Sequence, residues 1–198
     1  KKNHSINLMP AIDFLMKSVD LKPTDLDRIS VAQGPGSYTG LRVAVATAKT
    51  LAYTLNIELV GVSSLYALAA AADFDGLVVP VIDARRNNVY AGFYKDGQSL
   101  KDDQHMNFAE VLEAVKDEES VMFVGEVANF NNQIAESLPQ AKVLSVLPSA
   151  YAIGKRGQEL QPVDVDSFVP SYLKRVEAEE NWLKTHIENP SANYVNRI

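Results

Sequence analysis

Residues 28–55 set three patterns end to end, and together they leave few architectures open. RISVAQ is a short apolar run that reads as a buried strand. GPGSYTG, residues 34–40, places three glycines and a proline in seven positions. Leu41, Ala44, Val45, Ala48, Leu51, Ala52 and Leu55 then recur at helical spacing. A buried strand, a tight turn and a long helix with one apolar face belong to layered α/β folds, in which helices cover a sheet.

The rest of the chain extends the pattern. Leu8, Ile12, Leu15, Met16 and Val19 make a helical stripe. If Asn7 caps that helix, Pro10 sits in its first turn; if the helix starts earlier, Pro10 lies inside it and should kink it. Thr24 or Asp25 can cap a short turn. Glu58–Val62 reads as a strand and residues 64–72 as a helix. After DFDG, a strand GLVVPVIDA and an alternating VYAGFY form a hairpin, with a third strand near residues 98–103. Helices are expected at 108–116, 130–138 and 149–160, and strands at 121–124 and 144–146. The second half is thus hairpin, strand, helix, strand, helix, strand, helix. The first half looks like the same unit entered at its first helix. The record lacks an initiator Met, and a missing beginning is expected.

Composition narrows the function classes. The net charge of −6 argues against a broad basic surface and autonomous nucleic-acid binding. The chain has no cysteine, which excludes disulfides and thiolate metal sites. No stretch reaches the ~20 apolar residues of a membrane span. A cytoplasmic location is the simple expectation.

Each candidate motif has two readings. Gly34, Gly36 and Gly40 are spaced G-x-G-x-x-x-G, which fits neither the dinucleotide nor the P-loop pattern. The loop is either a tight crossover capped by Ser37 or Thr39, or a weak anion site at a helix start, helped by Arg42. The helix that follows can bury its small-residue face in its own chain or offer a side to a partner molecule. VIDARRNN puts Asp83 at a strand end before two arginines, so Asp83 could hold a metal or Arg85 an anion; the structural reading is a polar hairpin tip. His4, His105 and His186 are scattered without ligand spacing. No nucleophile elbow or catalytic triad is legible. In the tail, Trp182, Leu183, His186 and Ile187 share a face if helical, and Glu177, Glu179 and Glu180 read as a solvated face.

The runs AQGPGSYTGLRVAVATAKTLAYTLNIELVGVSSLYALA, VIDARRNNVYAGFY and VPSYLKRVEAE closely resemble the bacterial TsaB family, also called YeaZ. The likeness extends over essentially the whole chain. It implies an actin-like ATPase superfamily fold with two tandem RNase H-like subdomains. Residues 1–75 would form the first, lacking an N-terminal hairpin region with an Asp-Thr-Ser motif. Residues 76–170 would form the second, and 171–198 a docked, helical tail.

The resemblance also implies a role in making threonylcarbamoyladenosine in tRNA, beside the anticodon. There the paralogue TsaD carries the transferase site, TsaB pairs with it, and the ATPase TsaE docks on the pair. The family's pairing surface is helical, lies in the first subdomain, and can also join two TsaB copies. Here it maps onto Leu8, Ile12, Leu15, Leu41, Val45, Ala48 and Leu51. Superfamily ATPases cradle phosphates on glycine-bearing hairpins, but residues 83–88 contain no glycine. At the turn that usually carries paired glycines, Gly125 is followed by Glu126. The expectation is a noncatalytic subunit with no cofactor of its own, ATP and magnesium belonging to the wider complex, and tRNA engaged indirectly. The alternatives are a weak ATPase or nucleotide-dependent transferase using residues 34–40, and a glycoprotease-like peptidase.

Overall fold

A computed structural model describes residues 4–174. The element order is α1 (His4–Ser18), β1 (Arg28–Gly34), α2 (Tyr38–Leu55), β2 (Glu58–Ser63), α3 (Ser64–Ala69), β3 (Leu77–Asp83), β4 (Asn88–Lys95), β5 (Gln98–Asn107), α4 (Phe108–Ala114), β6 (Val121–Gly125), α5 (Asn131–Ser137), β7 (Lys142–Leu144) and α6 (Ala150–Glu159). The strands make two sheets. β1 and β2 pair in parallel, and the larger sheet has the order β5-β4-β3-β6-β7. In it the β3–β4–β5 meander is antiparallel, while β6 and β7 run parallel to β3.

Burial explains why these segments take these forms. Leu77, Val79 and Val81 alternate onto one face of β3 with Phe93 of β4 and Phe123 of β6. α4 and α5 cover that face through Phe108, Val111 and Ile134. Val78, Val124 and Tyr94 point to the other face and meet Leu65 and Leu68 of α3. Phe108 stacks against Phe130 at 4.3 Å between ring centres, closing the first of these cores. The expected third strand is present and longer, running to Asn107, which caps α4 by accepting from Ala109 N at 3.0 Å.

The smaller sheet has its own core of Val31, Val45, Ala48, Ala52, Leu59 and Phe168. Phe168 comes from far along the chain. After α6 the backbone returns: Val163 N donates to Leu59 O at 2.8 Å and Ser171 N to Gln33 O at 2.8 Å. Lys49 of α2 holds this segment by donating to the carbonyls of Asp166 and Phe168, both at 2.9 Å. Arg28 of β1 fastens α6 by donating to the carbonyls of Gly157 (2.6 Å), Gln158 and Leu160, and it pairs with Glu58. Residues 163–171 thus pack on the first sheet, through Phe168 with Val163 and Val165.

Two open alternatives are resolved and one strand is shifted. α1 begins by His4, so Pro10 lies inside the helix and removes the bond its N–H would make to the Ile6 carbonyl. Asp25 closes the short turn, accepting from Lys22 N at 2.8 Å. β7 covers residues 142–144, two positions ahead of the expected strand. The proposed helix and face in the tail beyond residue 174 lie outside the described residues.

Candidate functional site

The glycine loop is a docking point for the returning chain. Gly34 has φ +125°, a region closed to residues with a side chain, and a Cβ there would stand 2.5 Å from the Ser171 carbonyl oxygen. Ser37, not Thr39, caps α2, accepting from Gly40 N at 3.4 Å; Thr39 lies within the helix. Gly36 stands at the turn and Gly40 in the first turn of α2. Arg42 reaches back only to Tyr38. Its Nη1 donates to the Tyr38 hydroxyl at 2.8 Å, and its guanidinium stands 5.4 Å from that ring. The Tyr38 ring packs on Tyr172, 5.3 Å between centres. Of the residues expected at a weak anion site, Ser37 and Gly40 are thus engaged in helix capping, Gly34 with Ser171 and Arg42 with Tyr38.

The second turn is also closed. Arg85, Arg86 and Asn87 have φ of 72°, 54° and 59°, three successive left-handed residues with no glycine among them. Local bonds hold this costly backbone in place. Arg85 N donates to Asp83 Oδ1 at 2.7 Å, and Asn88 N to Arg85 O at 3.0 Å. Asp83 Oδ2 accepts from Asn129 at 3.0 Å, and Gln133 donates to the Asn87 side chain at 2.9 Å. Asp83 is therefore a turn-forming residue.

Glu126 was expected as an unwelcome charge near a phosphate. Its Oε2 accepts from Asp83 N at 2.9 Å, and its own N–H donates to Val81 O. Gly125 has φ +99°, and a Cβ there would lie 2.6 Å from Val81 O. The glycine is explained by close packing on β3. A phosphate cradle needs unspent backbone N–H groups. Here those of Asp83, Ala84, Arg85, Asn88 and Glu126 are already bonded within the protein.

Among the described residues, no group of three or more His, Asp or Glu side chains could hold a metal ion. A cavity of about 370 Å³ lies between α5 and β7, lined by Val127, Ile134, Leu138 and Val143 with Asn131 and Ser145. None of the sequence candidates reaches it.

The helical candidates divide. Leu41, Val45 and Ala48 are only 7%, 3% and 5% exposed. Val45 and Ala48 face β1 and β2 in the core of their own sheet, and Leu41 packs under Gly34. They cannot reach a partner, so that part of the mapped surface is corrected. Leu51 is half-buried on the same helix. α1 is different. Leu8 and Ile12 are half-buried, but Leu15 is 62% exposed, and Ile6, Phe14 and Val19 are open to a similar degree. Among the described residues, no other element lies closely along α1. Helical spacing had grouped the apolar residues of α1 and α2 alike; it could not show which stripe already had a sheet beneath it.

The comparisons decide the family. A chain of Bacillus subtilis named "tRNA threonylcarbamoyladenosine biosynthesis protein TsaB" is 40% identical over 196 residues, which is 93% of this chain and 86% of that one. The chain belongs to the TsaB family. A TsaB-named chain of Haemophilus influenzae is 35% identical over 94 residues, 46% of this chain and 39% of its own. Residues 1–182 also match the family model described as "TsaD: tRNA N6-adenosine threonylcarbamoyltransferase". Among solved structures, YeaZ from Pseudomonas aeruginosa superposes with a TM-score of 0.69 at 22% identity, covering 87% of this chain and 85% of that one. That likeness shows the TsaB chain's α/β fold, and membership of the family makes it one of the actin-like ATPase, RNase H-like type. Among its described residues no helix is long and apolar enough to cross a membrane.

Proposed function

We propose that the chain is a noncatalytic subunit that supports TsaD in forming threonylcarbamoyladenosine in tRNA. The observation that carries this reading is the open apolar face of α1, with Ile6, Phe14, Leu15 and Val19 all exposed. Burying such side chains is worth ~1.5–3 kcal/mol each before the cost of association. The closed turns support the noncatalytic half of the reading, since the Asp83 turn spends backbone donors inside the chain and the Gly34 loop is packed against Ser171. TsaD is the partner for α1. A second copy of the chain takes the same face when TsaD is absent, and TsaE joins the pair. The chain needs no nucleotide or metal of its own; ATP and magnesium act elsewhere in the assembly, and tRNA is met through TsaD.

The test is co-purification with TsaD followed by measurement of modified adenosine in tRNA. The double variant Phe14→Asp, Leu15→Asp should remain folded, lose the complex and lose the modification. Retention of both by the folded variant overturns the assignment of α1.

A further inference from the structure

α3 is the element that the two sheets share. It leaves β2 at Ser63, packs against β3, β4 and β6 on one side, and meets β1 and α6 on the other. Its first turn is also tied sideways. Ser63 Oγ accepts from the N–H groups of Leu65 at 3.0 Å and Tyr66 at 3.2 Å, capping the helix. The same hydroxyl donates to Asp103 Oδ2 on β5, and Asp103 Oδ1 accepts from the Tyr94 hydroxyl on β4 at 3.0 Å. Ser63 and Asp103 lie 40 positions apart and belong to different sheets. One half-buried carboxylate thus joins the end of the small sheet to two strands of the large one.

β4 makes room for this junction. A Cβ at Gly92 would lie 2.8 Å from Asp103 Oδ1 and 2.6 Å from the Tyr94 ring. Glycine inside a strand weakens it and often marks a close approach. Here the approach is that of the carboxylate and the phenol that hold Ser63.

We infer that Asp103 is a positioning residue that fixes the angle between the two sheets, so that the chain behaves as one rigid body. A hinge motion about α3 would have to break the Ser63–Asp103 bond, and the bond that Tyr94 makes to the same carboxylate keeps Asp103 from following. Two-layered folds with a shared helix move at a few such element-terminal residues, and Ser63 is that position here. The inference concerns the shape of the chain alone and holds whichever partner α1 meets.

The chain has no cysteine, so two can be introduced for spin labels without background. Tyr53→Cys on α2 and Glu136→Cys on α5 place exposed labels on the two sheets. With Asp103 present, the label-to-label distance distribution should be single and narrow. Asp103→Ala should broaden it, while amide exchange inside β3 and β6 stays as in the parent, which separates lost positioning from general destabilisation. Asp103→Asn should restore the narrow distribution, because its amide oxygen can accept from Ser63 while its NH2 donates to the Tyr94 hydroxyl oxygen. If Asp103→Ala does not fold, Tyr94→Phe removes one of the two bonds and is read in the same way. An unchanged width in the folded Asp103→Ala or Tyr94→Phe chain overturns the inference.

Discussion

The carbonyl oxygen of Ser171 sits 2.5 Å from the point where a Cβ would stand on Gly34. The two residues are far apart in sequence, yet each fixes the other. Gly34→Ala should therefore lower stability by about 2–4 kcal/mol, combining a disfavoured backbone with a contact that must give way. Urea denaturation of the purified variant checks this. A loss below 1 kcal/mol, on the order of an ordinary surface change, would mean that the returning segment is held elsewhere.

Position decides what an acidic substitution does on the two helices. Val45→Glu puts a carboxylate into the core under α2 and should cost ~3–5 kcal/mol, removing the folded chain under mild conditions. Phe14→Glu on α1 should change stability by no more than about 0.5 kcal/mol and act on association alone. Thermal unfolding and gel filtration of both variants, side by side, make the comparison.

Nucleotide binding gives a third check. With the N–H groups around Asp83 and Glu126 already bonded, titration calorimetry with ATP and magnesium should give no heat of binding to the chain alone. Micromolar affinity, roughly −8 kcal/mol, would return the chain to the ATPase reading.

Burial raises the pKa of Asp103 from 3.8, and its bonds to Ser63 and Tyr94 offset only part of that rise. The folded chain therefore holds this proton to higher pH than the unfolded chain does. Its contribution to stability is most favourable at low pH and falls as pH rises from about 4 through the raised folded pKa. Asp103→Asn removes this dependence. The stability of the variant relative to the parent should increase between about pH 4 and pH 7, measured by denaturation at each pH. A difference that is flat with pH would show that Asp103 ionises as an exposed carboxylate does.

Strand and helix order was readable because alternation and 3.6-residue spacing are local properties. The segment 28–63 and the β3–β4 hairpin came directly from them. What lay opposite each stripe was not local. Leu15 and Val45 carry the same kind of signal, yet one meets solvent and the other a sheet. A helix-launching turn at the glycine loop was one of two readings that local signals allow, and Ser171 as the reason for Gly34 needed the tertiary return. Asp103 was missed altogether. It stands in a run of polar residues on an edge strand, and only its approach to Ser63 sets it apart.

The return of residues 163–171 also orders events during synthesis. Phe168, Val163 and Val165 complete the core between α2 and the first sheet, although α2 leaves the ribosome more than a hundred residues earlier. The larger sheet has all its strands by residue 144 and can close first. The half of the chain made first is therefore the half finished last. Until residues 163–171 arrive, the part of this core that Phe168, Val163 and Val165 cover stays open to water, an interval in which a nascent chain is prone to aggregate.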